Sequence, residues 1–258
     1  MGILNVTDNS FYDGGKHVTE KEWLTHTAKM LDEGADIIDI GVTSSKPDSK
    51  LSDKEDEIKS IRKVLSSLVK EFPKAILSVD TYWSSTAKVA VAEGAHIIND
   101  ISAGDIDSEI FSTIAELNVP YIIMHMQGTP ETMQIDPLYK DVSKEVVFYL
   151  SEKVNKLKML GISDIMIDPG FGFGKTLEQN YKLLNDLELF RFFELPILVG
   201  LSRKSMIFKA LDITPDEALN GTIALNMLAL NKGAGILRVH DVKEAKEVIK
   251  IFGNLMNL

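Results

Sequence analysis

Polar side chains stand at the ends of short apolar runs in this sequence. They are Asn5, Thr7, Asp39, Asp80, Asn99, Asp100, His125, Asp168, Ser202, Arg203, Lys204, Arg238 and His240. Asp80 and Asp168 can accept hydrogen bonds from ring N–H groups, and the amide of Asn99 can both donate and accept. Lys204 can donate to a ring carbonyl, so the set predicts a site for a neutral heterocycle. For any single residue, capping of the next helix remains the alternative.

A cationic cluster is predicted near the end of the chain. Ser202, Arg203 and Lys204 follow the seventh apolar run, and Arg238 and His240 follow the eighth. The whole chain has 28 Lys and Arg against 38 Asp and Glu, a formal charge of -10. A positive cluster on an acidic protein favours an anionic substrate, and the net charge argues against nucleic acid and anionic membranes as partners. Solvated loop positions for Arg203 and Lys204 remain the alternative.

The segment DPGFGFGKT at 168–176 nearly matches a phosphate-binding loop. Pro169 stands where that motif needs its first glycine, so the phosphate-cradle interpretation is rejected. We predict instead a mobile glycine loop on which Phe171 and Phe173 cover a flat ligand. A tight turn with buried aromatics is the open alternative.

Other chemistries are excluded or weak. The chain has no Cys, which rules out disulfides and thiolate metal sites. GLSRK at 200–204 ends in Lys where a nucleophile elbow has Gly, and His125 and His240 lack HExxH spacing. A Mg²⁺ ion bound to substrate phosphates would leave only a trace such as Asn5. No apolar run reaches the roughly 18 residues of a membrane helix, and we expect a cytoplasmic protein.

Eight apolar runs alternate with segments of helical periodicity. The runs lie at 2–6, 35–41, 75–80, 95–100, 120–125, 164–168, 196–200 and 235–240. Continuous apolar runs are typical of parallel strands that are covered on both faces. We predict an α/β protein, a single (β/α)8 TIM barrel over 1–258 with its active site at the C-terminal rim of the strands. A doubly wound open sheet is the alternative. Gly34, Gly94, Gly161 and Gly233 are predicted to end helices in a left-handed conformation.

The motifs together resemble the dihydropteroate synthase family from the first residue to the last strand. The matching blocks are MGILNVT at 1–7, SF at 10–11, DGG at 13–15, DIG at 39–41, SSKP at 44–47, SVDT at 78–81, IND at 98–100, MHM at 124–126, DPGFGFGK at 168–175, SRK at 202–204 and RVH at 238–240. The resemblance implies a pterin-binding barrel that joins 6-hydroxymethyl-7,8-dihydropterin diphosphate to p-aminobenzoate and releases diphosphate. It also implies Mg²⁺ at Asn5, and a homodimer through the last helices with Leu225, Leu228 and Leu230.

The resemblance also implies a role for each matching residue. Asp168, Lys204, Arg238 and His240 would be catalytic. The pterin diphosphate would be bound by Ser45, Asp80, Asn99, Ile101, Met124, Asp168, Phe173, Gly200, Lys204, Arg238, Val239 and His240. The p-aminobenzoate would be bound by Phe11, Lys46, Pro47, Phe173, Ser202 and Arg203.

Two loops depart from the family pattern. Thr7 is followed by Asp8 and Asn9, and the second loop reads SSKPD at 44–48, with Lys46 where the family has Arg. Gln127 stands where many members have Arg. Lys46 keeps the charge without the two-pronged geometry, which brings substrate affinity into question. The alternatives are a pterin-binding paralogue without synthase activity and a methyltetrahydrofolate-dependent methyltransferase. The blocks at 202–204 and 238–240 argue against the second.

Overall fold

The structure, a computed structural model, describes residues 1–6, 19–42, 51, 53–133 and 135–256. Within them, eight strands alternate with helices. The strands are β1 Gly2–Asn5, β2 Ile37–Gly41, β3 Ile76–Asp80, β4 Ile97–Asp100, β5 Tyr121–Met124, β6 Ile165–Asp168, β7 Leu198–Val199 and β8 Ile236–Leu237. All pair in parallel.

Nine α-helices occur in the described residues, and none of them is long and apolar enough to cross a membrane. They are α1 Glu20–Asp32, α2 Lys54–Glu71, α3 Ser84–Ala92, α4 Ile110–Leu117, α5 Val142–Met159, α6 Leu177–Asn185, α7 Ser205–Leu211, α8 Leu219–Asn231 and α9 Val242–Met256. Two 3-10 helices, Leu187–Phe193 and Pro215–Glu217, complete the list of helical segments. The four helix-ending glycines named above all have positive φ, as predicted.

The sheet closes on itself. Strands β1 to β6 are neighbours in sequence order, and β7 pairs with β8. Single parallel bridges, Ile167 to Ile197 and Gly2 to Val239, join β6 to β7 and β8 back to β1. Sequential order with the first strand beside the last is the (β/α)8 barrel predicted from the sequence, and the doubly wound alternative is wrong because no strand order reverses. The single-domain organisation stays a prediction.

The barrel interior is apolar at one end and polar at the other. Residues at the N-terminal end of the strands form one buried cluster, which comprises Met1, Ile97, Ile122 and Leu198, with Ile37, Met166 and Ile236 packed against it. Successive side chains of a strand alternate, so the residue two positions further along also faces inward. On five of these strands that residue is Asp39, Asn99, Met124, Asp168 or Arg238. The apolar cluster therefore forms the floor of the barrel interior. The strand-end residues just named form the mouth, which is mostly polar.

Candidate active site

A half-buried arginine joins three strands at the barrel mouth. Arg238 Nε donates to Asp39 Oδ2 at 2.7 Å, and its Nη2 donates to Asp80 Oδ2 at 3.2 Å. Asn99 Nδ2 donates to the same Asp39 oxygen at 3.1 Å. Asp39 is fully buried, so a single carboxylate oxygen orients both Arg238 and Asn99. The Asn99 oxygen then points away from Asp39 and can accept from a ligand.

Asp80 is held in an environment that opposes its ionisation. Burial raises the pKa of Asp80 to about 7, against the opposing effect of the Arg238 charge, with Asp39 and Glu57 raising it further. Glu57 is itself buried and accepts a hydrogen bond from Thr81 Oγ1. Asp80 therefore changes charge near neutral pH.

Asp168 ends β6 in contact with the loop that follows. The Gly170 N–H donates to Asp168 Oδ1 at 2.7 Å. Burial raises the pKa of the Asp168 carboxyl, while the nearby Lys204 charge lowers it. The balance between burial and Lys204 thus controls whether Asp168 can accept hydrogen bonds as an anion.

Lys204 follows β7, the neighbour of the strand that Asp168 ends, and lies at the N-cap position of α7. Its Nζ donates to the Phe171 carbonyl at 2.5 Å and lies 4.8 Å from the centre of the Phe173 ring. Burial lowers the pKa of Lys204 to about 8. A Cβ at Gly200 would come within 3.7 Å of Nζ and 3.9 Å of Arg238 Cβ. Glycine there leaves space between the two cations.

An apolar wall completes the pocket. Ile101, Met124 and Met126 belong to one small buried cluster at the rim, and Phe173 packs against it. Asp80, Asn99 and Asp168, on the same or neighbouring strands, thus lie beside an apolar surface. This arrangement suits a planar ring with N–H and carbonyl groups at its edge.

The predicted anion site has a neutral histidine. Ser202 Oγ lies 3.0 Å from His240 Nδ1 and also accepts the His240 backbone N–H at 3.2 Å. Burial and the Arg238 charge lower the pKa of His240 to about 4. At neutral pH the positive charge of the predicted anion site therefore comes from Arg238 and Lys204, and His240 contributes hydrogen bonds.

Two predicted site residues are engaged elsewhere. Arg203 holds Asp241 with Nε at 2.9 Å and Nη2 at 2.8 Å, and its Nη1 donates to the carbonyls of Pro215 and Asp216. These contacts commit its guanidinium to anchoring the loops around α7. Val239 is buried in the main core, and both its backbone N–H and its carbonyl pair with β1. The structure thus does not bring the Val239 side chain to the mouth.

The glycine loop departs from its predicted form. Phe171 is fully buried in the main core, and its carbonyl rather than its ring faces Lys204. Only Phe173 reaches the mouth, so one of the two predicted cover residues is wrong. The predicted mobile loop is instead extensively bonded: Tyr139 donates to Gly174, and Asn180 accepts from Gly172. Its close packing explains the glycines.

Gly170 shows how close that packing is. It has φ of 72°, and a Cβ there would lie 1.9 Å from the His125 carbonyl oxygen. No side chain fits at such a distance, and the left-handed backbone is one that glycine adopts without strain.

Four buried residues complete the site without an assigned role in the sequence analysis. Asp39 and His125 were expected at the rim only as strand ends, and Lys175 only as part of a motif. Glu57 was missed altogether. Its signal was available, because it lies four residues before Ile61 on the buried face of α2.

Several predicted residues lie outside the described part of the chain. These are Ser45 of the diphosphate set and Phe11, Lys46 and Pro47 of the p-aminobenzoate set. Their roles stay predictions. The described residues bring together Asp80, Asn99, Ile101, Met124, Asp168, Phe173, Gly200, Ser202, Lys204, Arg238 and His240 around one mouth, with Asn5 at its edge.

The chain is similar to known proteins along nearly its whole length. A model of the pterin binding enzyme family matches residues 1–240. The dihydropteroate synthase of Escherichia coli strain K12 is 42% identical over 253 residues, covering 97% of this chain and 89% of that protein. That of Bacillus subtilis strain 168 is 39% identical over 259 residues, covering 100% and 88%.

Solved structures give the same result. The chain superposes on a Yersinia pestis dihydropteroate synthase with a sulfonamide drug complex at a TM-score of 0.95 and 38% identity, covering 100% of this chain and 94% of that one. It superposes on a Xanthomonas albilineans dihydropteroate synthase with 4-aminobenzoic acid at 0.91 and 36%, covering 100% and 92%. A Coxiella burnetii dihydropteroate synthase with pteroic acid gives 0.88 and 38%, covering 98% and 91%.

Proposed function

The chain belongs to the pterin-binding enzyme family, and from this membership we propose that it is a dihydropteroate synthase. It joins 6-hydroxymethyl-7,8-dihydropterin diphosphate to p-aminobenzoate, forming 7,8-dihydropteroate and diphosphate. Relatives crystallised with 4-aminobenzoic acid and with pteroic acid support both halves of this substrate pair.

One observation carries the proposal: the donor and acceptor pattern of the mouth matches a pterin edge. Asp80 and Asp168 can accept, and the Asn99 oxygen can also accept, because the Asn99 nitrogen is the atom that donates to Asp39. Lys204 donates, and Phe173 provides the apolar face. A pterin has several N–H donors and one carbonyl along its edge, so each of these groups finds a partner.

The residues divide the reaction between two ends of the pocket. Arg238, Ser202 and His240 hold the leaving diphosphate through charge and hydrogen bonds, which stabilises the bond-breaking transition state. As the exocyclic C–O bond breaks, positive charge spreads into the pterin ring, and the Asp168 carboxylate stabilises this charge. The amine of p-aminobenzoate then forms the new C–N bond and loses a proton to solvent. Lys204 supports this because its charge lowers the pKa of the Asp168 carboxyl, against the larger effect of burial.

Mg²⁺ is part of the proposal as a substrate-borne ion. Within the described residues no group of three His, Asp or Glu could hold a metal alone. Asn5 lies at the end of β1 and is partly buried. Mg²⁺ often takes one or two protein oxygens and completes its shell with phosphate and water, so the single amide oxygen of Asn5 fits. Such an ion would neutralise charge on the diphosphate.

The two alternatives make different demands. A paralogue without synthase activity would bind the pterin diphosphate yet form no pteroate. A methyltransferase using methyltetrahydrofolate does not need a binding site for a diphosphate anion. The hydrogen-bonded pair of Ser202 and His240 beside Arg238 therefore favours the synthase.

Diphosphate release by the purified chain tests the proposal. The pterin diphosphate is supplied with and without p-aminobenzoate, each with Mg²⁺ or with EDTA, and pteroate is followed by chromatography. We expect equal amounts of pteroate and diphosphate only when p-aminobenzoate and Mg²⁺ are both present. Binding without pteroate would support the paralogue, and Mg²⁺-independent turnover would contradict the metal role.

A homodimer and a cytoplasmic location stay predictions. The apolar face predicted for dimerisation is smaller than expected, because Leu230 is buried in the core of its own chain and Leu225 packs against that core. Leu228 is the exposed member of the three. Sedimentation of the purified chain would measure the oligomeric state.

A further inference from the structure

One buried ammonium group holds both ends of the glycine loop after β6. Lys175 Nζ donates to the carbonyls of Gly170 at 2.7 Å and Phe173 at 3.0 Å. It also lies 3.0 Å from His125 Nδ1, with the His125 carbonyl at 3.4 Å. An ammonium has three protons, so the three shortest contacts use all of them. Lys175 is only 3% exposed.

His125 acts as an acceptor in this arrangement. Burial, followed by the Lys175 charge, lowers the pKa of His125 to about 2, so its ring is neutral at neutral pH. A neutral imidazole has one accepting nitrogen, and facing Lys175 it is Nδ1. The ring proton is then on Nε2. Tyr149 packs edge-on against the ring, with 4.9 Å between centroids, and keeps it in place.

The loop held by Lys175 supplies three contacts to the pocket. The Gly170 N–H donates to Asp168, and the Phe171 carbonyl accepts from Lys204. The Phe173 ring lies under the same Lys204 ammonium. All three belong to the part of the mouth that would bind the pterin, whereas Ser202 and His240 lie on other elements.

We infer that Lys175 is a positioning residue for pterin binding, acting through residues 169–174. This inference rests on the proposed function and assigns to Lys175 one half of its substrate pair. The side chain does not touch the substrate, because its protons are used and its surface is covered. It fixes the peptide groups that orient Asp168 and Lys204, and it fixes the ring of Phe173.

A proton-transfer role for Lys175 is the competing interpretation. Burial lowers the pKa of Lys175 to about 7, with Lys204 lowering it and Asp168 raising it. That value suits a general base. A base must reach the proton that it takes, however, and every direction around this amine is occupied by Gly170, Phe173 or His125. The geometry therefore favours positioning.

Binding of 6-hydroxymethylpterin, measured by calorimetry, tests the inference without requiring turnover. Lys175→Met removes all three hydrogen bonds, and we expect pterin affinity to fall by about ten-fold or more. His125→Phe keeps the ring packing and removes one acceptor, and should weaken binding by about three-fold. Lys182→Met is the matched control, because Lys182 is an exposed lysine of α6 paired with Asp186, and it should bind normally.

A second ligand separates positioning from general damage. Affinity for inorganic diphosphate, whose partners Ser202 and His240 lie off the loop, should stay within about two-fold in every variant. A merely structural lysine would lower the melting temperature and leave the pterin affinity of the folded fraction unchanged. A wild-type dissociation constant for the pterin in folded Lys175→Met overturns the inference. If that variant does not fold, the same result in His125→Phe overturns it.

The carboxyl of Asp168 gives an independent readout by NMR titration. The cations facing it are Lys204, Arg238 and Lys175, and each lowers its pKa. Lys175→Met should therefore raise the pKa of Asp168, and an unchanged pKa argues against the inference. Wild-type protein that binds the pterin but forms no pteroate contradicts the proposed function alone and leaves the Lys175 result interpretable. Wild-type protein that binds no pterin overturns both.

Discussion

The two ends of the barrel interior have opposite chemistry although the same strands build them. The floor is apolar. Two residues further along four of its strands, the mouth holds polar side chains: Asp39, Asn99, Asp168 and Arg238. Two residues of a strand span only about 7 Å. The floor thus excludes water from directly beneath the polar groups. Burial is the largest cause of the pKa shifts of Asp80, Asp168 and Lys204, so the floor helps to set the ionisation of the mouth.

The largest expected effect comes from changing the mouth alone. Asp168→Asn and Lys204→Ala should each reduce turnover by about 10³-fold, because a charge facing the developing pterin cation or its partner is lost. The fold should persist, since both side chains line the rim. Steady-state kinetics with circular dichroism checks this, and near-normal turnover in either variant would remove these residues from the site.

Changing the floor should have the reverse pattern. Ile97→Ala leaves a cavity and should lower the free energy of unfolding by about 2–4 kcal/mol, measured in urea. Turnover should fall much less than in Asp168→Asn. Water admitted beneath the mouth should also shift the acid limb of activity to lower pH, because less burial means a lower pKa for Asp80.

Ile114→Ala is the matched control for the floor. Ile114 is fully buried on α4, outside the barrel interior, so the variant should lose similar stability. Its pH profile should not move. Equal shifts in the two variants would show that the floor has no special influence on the mouth.

Asp39 links several polar groups of the mouth. Asp39→Asn should raise the KM for the pterin diphosphate by about ten-fold, since Arg238 and Asn99 lose a shared charged acceptor. The Michaelis constant for p-aminobenzoate should change little. Equal rises for both substrates would mean that Asp39 supports the mouth only as a structural ion pair.

The pH dependence of kcat/KM should be bell-shaped. Below a pH of about 7, Asp80 gains a proton and loses acceptor capacity. Above about 8, Lys204 loses its proton and its charge, and Lys175, with a pKa of about 7, has already lost its own. Activity should therefore be greatest between these values and fall by about ten-fold per pH unit outside them. Asp80→Asn should remove the acid limb, and a limb that persists would assign it to another group.

The smallest effect is expected at Lys46, outside the described residues. An arginine could grip anion oxygens with two parallel hydrogen bonds, so Lys46→Arg should improve substrate affinity by about five-fold, or ~1 kcal/mol. Lys46→Ala should weaken affinity without changing the melting temperature. Unchanged Michaelis constants in both variants would show that Lys46 is simply solvated.

The strand pattern and the mouth were predictable because both follow from local sequence. Each apolar run has a polar residue at or close to its end, and parallel strands bring such ends to one rim. The directions of Phe171 and Phe173 were not predictable, because glycines with positive φ separate them and no strand or helix period applies. Lys175 and His125 are 50 residues apart, and only the closed barrel brings them together.

The ion pair between Arg203 and Asp241 was equally unpredictable from the sequence. It joins residues 38 apart, and the sequence offered only an arginine beside an anion motif. Glu57 differs, because a carboxylate in the buried stripe of an amphipathic helix is a local signal. Buried polar groups outside strand ends are therefore worth examining in helices as well.

The closure of the barrel by two single bridges has a consequence for local unfolding. Strands β2 and β3 share four residue pairs, whereas β7 and β8 meet their outer neighbours through one bridge each. The segment from β7 to β8 should open as a unit, with faster amide hydrogen exchange than β2 to β5. Lys204 lies within this segment and Arg238 directly follows it, whereas Asp80 and Asp168 end β3 and β6, outside the segment. A ligand that contacts residues inside and outside the segment would join the two parts. Substrate binding should therefore slow amide exchange most at the two single bridges, Ile167 to Ile197 and Gly2 to Val239.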